Sequence, residues 1–214
     1  MMTLEQMLSY GRPRPEPFTS EERPRLFVEC CKFICPQFSI DDRNKALMNE
    51  VYRYFEGTSA KYDHDKGLWL WGTIGTGKST IIQIMNYYSK FSKGLDRGDY
   101  PIGGFRIEST STVANKFAMK GQDAIELYTY NNGRPRTIAF DELGREPLPA
   151  KYFGTELNVM QYVFQSRYEL RKECLTHVTT NLSLIEVQKK YGSYIADRIN
   201  EMFNVIELTG RSRR

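Results

Sequence analysis

Histidine is nearly absent from this chain, with only His64 and His177 among 214 residues. Cysteine is scarce as well: Cys30, Cys31 and Cys35 lie close together, and Cys174 stands far from them. Their spacing is not C-x-x-C and neither histidine belongs to a paired ligand motif. That pattern speaks against a structural zinc site, and the thiols are read as reduced side chains packed on a buried helix face. No stretch stays apolar for the length a bilayer requires, which excludes a membrane-spanning helix. The opening Met1–Gln6 has neither the basic head nor the apolar core of a secretory leader, so the expectation is a cytoplasmic protein with no membrane partner. A dominant charge is also missing, because 30 Lys and Arg against 26 Asp and Glu leave a net charge of +4 and a sequence pI of about 8.8. That balance excludes a histone-like polycation, and it permits a nucleic-acid partner without demanding one. No internal repeat is present.

What is there belongs to a globular protein: 40% hydrophobic residues, 26% charged residues and a mean hydropathy of −0.54. This length supports one sizeable core, so one main domain is expected over residues 26–214, after an arm at 1–25. The arm mixes Gly11, Pro13, Pro15, Pro17 and Pro24 with charges and shows no apolar period, so it reads as extended, partly disordered or laid against a partner.

The most informative stretch is Gly72-Thr73-Ile74-Gly75-Thr76-Gly77-Lys78-Ser79-Thr80. It follows the apolar run Leu68–Trp71, short enough for a buried strand, and precedes Ile81, Ile82, Ile84 and Met85, which suit a packed helix. Strand, glycine loop and helix in that order make G-x-x-x-x-G-K-[ST] a phosphate-binding loop, because backbone N–H groups and the helix's positive end converge on one anion. Lys78 is expected to reach the β and γ phosphates, and the Ser79 hydroxyl to complete the shell of a Mg2+ ion. The plain alternative is a glycine-rich turn.

Elsewhere helices are expected from Leu26 to Ile34, after Asp41-Asp42 with Leu47, Val51, Tyr54 and Phe55 on one stripe, and through Val113 and Phe117 towards Leu127. Two more are expected with Leu157, Met160, Phe164 and Tyr168, and with Ile195, Ile199, Met202 and Phe203. Strands are expected at Phe105–Glu108, Thr137–Phe140, Leu175–Thr179 and Val205–Leu208, and a polar surface loop from Lys93 to Pro101. Strands alternating with helices at this spacing imply an α/β protein with a mostly parallel sheet.

Asp141 and Glu142 close the third strand. Carboxyl ends of strands line the ligand crevice in such sheets, so Asp141 is placed to hold Mg2+ opposite Ser79 and Glu142 to activate an attacking water. An ordinary solvated loop start is the competing reading. Asn181 follows the next strand, where an amide can touch the γ phosphate or the lytic water, or merely begin a turn. Arg198 lies on the late helix, either facing solvent or reaching from one subunit into a neighbour's nucleotide site.

Taken together, GTIGTGKST, TIAFDELG, QSRYELRKECLTHVTTNLS and YGSYIADRINEMFNVIELTGRSRR resemble the DnaC/IstB group of AAA+ ATPases, from about Gly67 to the end of the chain. That group comprises helicase loaders and transposition helper ATPases. The resemblance implies an ASCE P-loop NTPase, a three-layer sandwich that binds ATP and Mg2+, oligomerises through its nucleotide sites and engages DNA. It matches Gly72–Ser79 to Walker A, Asp141 and Glu142 to Walker B, Asn181 to sensor 1 and Arg198 to the arginine of the box VII helix, a trans-acting finger. Gly210, Ser212 and Arg214 match the group's G-x-S-x-R ending. The chain departs from helicase loaders in having only the short arm where they carry a helicase-binding region, and no separate C-terminal lid is expected. Candidate DNA contacts are Lys116, Lys120, Arg134, Arg136, Arg167, Arg171, Lys172, Arg211, Arg213 and Arg214, with Tyr128 and Tyr130 for base stacking. A solvated basic face and core aromatics are the alternative. The expectation is an ATP hydrolase, assembled as an ATP-dependent homo-oligomer, serving a replicative helicase or a transposase. A small-molecule P-loop kinase and an ATP-switched adaptor with little hydrolysis compete with it.

Overall fold

The computed structural model describes residues 3–95 and 103–210. The expected surface loop is thus seen only from Lys93 to Leu95, and of the G-x-S-x-R ending only Gly210; Arg211, Ser212, Arg213 and Arg214 lie outside the described residues. The chain divides into two compact units, residues 1–64 with 80–105 and residues 65–79 with 106–214.

The first unit is helical. Its start differs from the expected arm, because Thr3 and Gln6 form a capping box that opens α1 (Leu4–Tyr10), Gly11 closes it in the left-handed region, and Met7 and Leu8 are buried. A reciprocal cap satisfies two otherwise orphaned donors, enough to hold a helix too short to show a period. The proline-rich stretch after it is tied down as well. Arg14 pairs with Glu22 at 2.6 Å and lies over the Phe18 ring, while Phe18 N donates to Ser92 O and Leu95 N to Pro15 O. In α2 (Arg23–Ile34) the buried face is Leu26, Phe27, Cys30 and Cys31, the packed thiols expected; burial pushes the Cys31 thiol up to about 12 and Cys30 up as well. No group of three metal-ligating side chains occurs among the described residues. Helix α3 (Lys45–Phe55) starts later than Asp41-Asp42 suggested, since the Asp41 carboxylate accepts from Arg43 N and Asn44 N in a turn just ahead of it. Its buried stripe is Met48, Val51 and Tyr54.

The second unit holds a five-stranded sheet, every paired neighbour parallel: β1 (Gly67–Gly72), β2 (Arg106–Ser109), β3 (Ile138–Leu143), β6 (Thr176–Thr180) and β7 (Phe203–Leu208), in the order β2-β3-β6-β1-β7. Helices α5 (Thr110–Lys120), α6 (Val159–Glu169), α7 (Leu184–Tyr191) and α8 (Ser193–Met202) share one core with it, built on Trp69, Phe117, Phe140, Phe164, Val178, Ile199 and Phe203. Each such buried side chain contributes roughly 1.5–3 kcal/mol, against about 0–1 for an exposed ion pair, so apolar burial rather than surface charge holds this layer. Helix α4 (Lys78–Ser92) follows the glycine loop.

Three local differences from the sequence reading have physical causes. Helix α5 stops at Gly121 instead of running towards Leu127, because φ +69 there takes the chain off the right-handed helical path, and the Tyr152 ring, 2.6 Å from where a Cβ would be, leaves room only for glycine. Tyr152 belongs to an unforeseen antiparallel hairpin, β4 (Ala150–Tyr152) and β5 (Thr155–Leu157), which takes Leu157 out of α6. Phe203 joins β7 and packs its ring on Trp69 at 5.1 Å.

His177 on β6 is 1% exposed, and its Nδ1 accepts from Leu68 N at 3.1 Å. Burial, helped by Arg167, pushes its pKa down to about 3. The unfolded chain binds a proton near pH 6.5 that the folded chain refuses. Below that pH stability therefore falls, and it continues to fall until about pH 3. Urea unfolding between pH 7 and pH 4 checks this: His177→Asn, whose amide oxygen can still accept from Leu68 N, should show a shallower acid loss than the parent.

Candidate active site

β1 runs into the loop at Gly72, whose φ is +136 and whose added Cβ would lie 2.3 Å from Leu208 O on β7. No side chain fits there, and the chain turns off the sheet at that point. Gly75 and Gly77 also have positive φ. Thr76 Oγ1 donates to Thr73 O at 2.9 Å, tightening the loop. Lys78 is 7% exposed; its Nζ donates to Gly72 O (2.8 Å) and Thr73 O (2.7 Å), and burial pushes its pKa down. Ser79 and Thr80 continue the first turn of α4.

Asp141 lies on β3, beside β6 and in the same unit as Ser79. Ser79 Oγ donates to Asp141 Oδ1 at 2.8 Å, so residues far apart in the sequence share one hydrogen bond. The same carboxylate oxygen accepts a short bond from Thr179 Oγ1. Between Phe140 and Leu143 the register with β6 shifts, and Glu142 takes φ +59 inside that irregularity. A bulge of this kind re-aims side chains at a strand end. Here Asp141 reaches Ser79, while Glu142 pairs with Arg145 at 2.8 Å. Both partners of that pair are about half exposed, so the tether is weak.

Three threonines to which the sequence reading gave no such role hold the bulge. Thr179 Oγ1 accepts from Glu142 N (2.9 Å), Thr110 Oγ1 donates to Glu142 O (3.0 Å) and Thr180 Oγ1 donates to Leu143 O (2.7 Å). Their signal was a threonine pair closing the strand beside Asp141. Asn181 is exposed just past β6, the strand that carries Thr179 beside Asp141. Arg198 contacts Tyr194 and Tyr168, not the loop or Asp141. Of the expected DNA contacts, Arg167 and Tyr128 are corrected: both are buried, at 1% and 0% exposure, and hold the core together. Lys116 is half-buried, bonded to Glu108 and the Tyr128 hydroxyl, whereas Lys120, Arg134, Arg136 and Lys172 are exposed.

The donor set fits Mg2+, since the Ser79 hydroxyl and the Asp141 carboxylate are two hard oxygens at hydrogen-bond distance on rigid elements. They would hold the ion, which when bound neutralises charge on phosphate oxygens.

No family model matches the chain, and no curated protein matches it in sequence. Solved structures do. The crystal structure of the DnaC helicase loader superposes with a TM-score of 0.57 at 15% identity, covering 82% of this chain and 96% of that one. A candidate primosome component from Streptococcus pyogenes serotype M3 gives 0.60 at 16% identity over 98% and 100% of the two chains. DnaI gives 0.53 at 20% identity over 84% and 89%. The fold is the DnaC-like AAA+ fold. Within it the glycine loop, Asp141 and the end of β6 stand at the carboxyl ends of neighbouring parallel strands β1, β6 and β3, where P-loop NTPases of this architecture bind their ligands. No helix among the described residues is long and apolar enough to cross a membrane.

Proposed function

We propose that this AAA+ domain hydrolyses ATP with Mg2+ to load or remodel a protein–DNA assembly, as a helicase loader or a transposition helper. The observation that carries the reading is the Ser79–Asp141 bond beside a buried Lys78 on a glycine loop. Lysine and backbone amides grip the triphosphate, Ser79 and Asp141 carry the ion, and Glu142 orients and deprotonates water. Its half-exposed pair with Arg145 is weak enough to release Glu142 for that work. Asn181 reads the γ phosphate, and Arg198 completes the site of a neighbouring copy. Residues 1–25 and 26–214 act as an N-terminal segment and the ATPase domain, with DNA and a replicative helicase or transposase as partners.

Glu142→Gln keeps the shape of the side chain and removes the base, so turnover should drop by about 10²–10⁴-fold. ATP should remain bound, and the protein should sediment as a larger species with ATP. Phosphate release and sedimentation velocity, each with and without an oligonucleotide, read both effects. Unchanged turnover would instead favour an ATP-switched adaptor, and phosphate appearing on an acceptor rather than in solution would favour a kinase.

A further inference from the structure

Arg198 is held in an unusual way. Its Cζ lies over the Tyr194 ring, 3.3 Å from the centroid, and over the Tyr168 ring at 4.4 Å. Tyr194 precedes it by one turn on α8, while Tyr168 comes from the end of α6. Tyr168 is itself fixed, because its hydroxyl donates to Glu201 at 2.8 Å and Arg171 lies 4.1 Å from its ring. The edge of the Arg198 guanidinium is little used by comparison. NH1 donates to Tyr194 O at 3.2 Å, and the buried Nε has no hydrogen-bond partner among the described residues.

A guanidinium offers two kinds of contact. Its faces stack on aromatic rings, and its edge donates in plane to phosphate oxygens. The two do not compete, so a side chain gripped by its faces keeps its edge free for an anion. A long flexible arginine loses rotamer entropy when it is recruited, and stacking removes that freedom beforehand.

We propose that Tyr194 and Tyr168 are positioning residues that clamp Arg198 by its faces and so aim its edge at the triphosphate bound to a neighbouring copy. The inference rests on the reading of Arg198 as a group acting in trans. Stacking needs the rings, not the Tyr194 hydroxyl.

The test measures ATP turnover of the full chain as Tyr194→Leu, Tyr168→Leu, Tyr194→Phe and Arg198→Ala, with binding of a fluorescent ATP analogue alongside. Misplacing a catalytic group by an ångström costs on the order of 10²-fold, so each leucine variant should lose at least about tenfold in kcat. KM for ATP should stay within about twofold, since each copy's own phosphate loop is intact. Tyr194→Phe should recover most of the turnover. Mixing Tyr194→Leu with Lys78→Ala protein should restore activity, because the second copy brings an intact clamp to the first one's bound ATP. If Arg198→Ala is inactive while both leucine variants match the parent, the clamp is overturned and the trans arginine stands. A loss that neither phenylalanine nor mixing repairs also overturns the clamp. If Arg198→Ala turns over like the parent, the underlying reading falls, and the clamp's role with it.

Discussion

Lys78→Ala is expected to weaken ATP binding by at least about 100-fold and to bring hydrolysis to background, since two or three charge-assisted contacts at about 1.5 kcal/mol each amount to that ratio. The ammonium already lies against the loop that is to hold the phosphates, on the carbonyls of Gly72 and Thr73. It has left bulk water before any ligand arrives, so the desolvation that normally offsets a buried charge contact is largely spent in folding. Those carbonyl bonds raise a competing explanation, that alanine loosens the loop and does not merely remove a charge. Lys78→Met separates the two: it fills the space without the ammonium, and it should bind ATP as weakly as alanine while melting within about 2 °C of the parent, the shift expected for under 1 kcal/mol in a chain of this size. Titration with a fluorescent ATP analogue reads the affinity. Affinity within tenfold of the parent in both variants would remove Lys78 from the site.

Arg167→Met is expected to lower the melting temperature by roughly 6–12 °C, the shift that about 3 kcal/mol produces in a chain of this length. Arg167 is 1% exposed and ties α6 to the starts of β3 and β6 and to the segment around Tyr128. Its Nε donates to Thr176 Oγ1 (2.6 Å), NH1 to Tyr128 O (3.3 Å), and NH2 to Arg136 O (3.0 Å) and Leu175 O (2.7 Å). Burial pushes its pKa down, the direction expected of a cation withdrawn from water. Exchanging a buried ion pair for a well-packed hydrophobe is often neutral, because both charges leave together. Here the acceptors are mostly backbone carbonyls and they stay behind, so methionine recovers the desolvation cost of one cation and strands several oxygens. The second effect should win. Arg167→Lys should fall short as well, since one ammonium cannot span the acceptors a planar fork reaches. Differential scanning fluorimetry decides the matter, and a Met variant melting within 2 °C of the parent would show that the carbonyls find water.

The order of strand, glycine loop and helix was legible because its information is local: glycines at fixed offsets between an apolar strand and an apolar helix. Asp141 was legible for a related reason, standing where an apolar run stops. The threonines that fix the Asp141–Glu142 bulge were not, since a β-branched hydroxyl at a strand end looks the same whether it braces a carboxylate or fills a pleat. The β4–β5 hairpin escaped because three-residue strands carry no period, and α1 because seven residues between charges and prolines do not either. Arg167 and Tyr128 were misplaced among the DNA contacts for a different reason. A positive charge in a sequence does not say whether water or carbonyl oxygen surrounds it. Asn181 and Arg198 do their proposed work on a nucleotide or a neighbouring copy, and a single folded chain fixes only where they start.

The position of β1 in its sheet bears on how such a chain is made. Trp69 sits in register with Val178 on one flank and with Val205 on the other. Both neighbours of the strand that launches the glycine loop come later in the chain, so it is translated before either partner and its pairing waits on them. Until then Gly72 has no Leu208 carbonyl against it, and the loop has no rigid base. A rigid base for the glycine loop should thus form only once β7 has been made and has paired with β1.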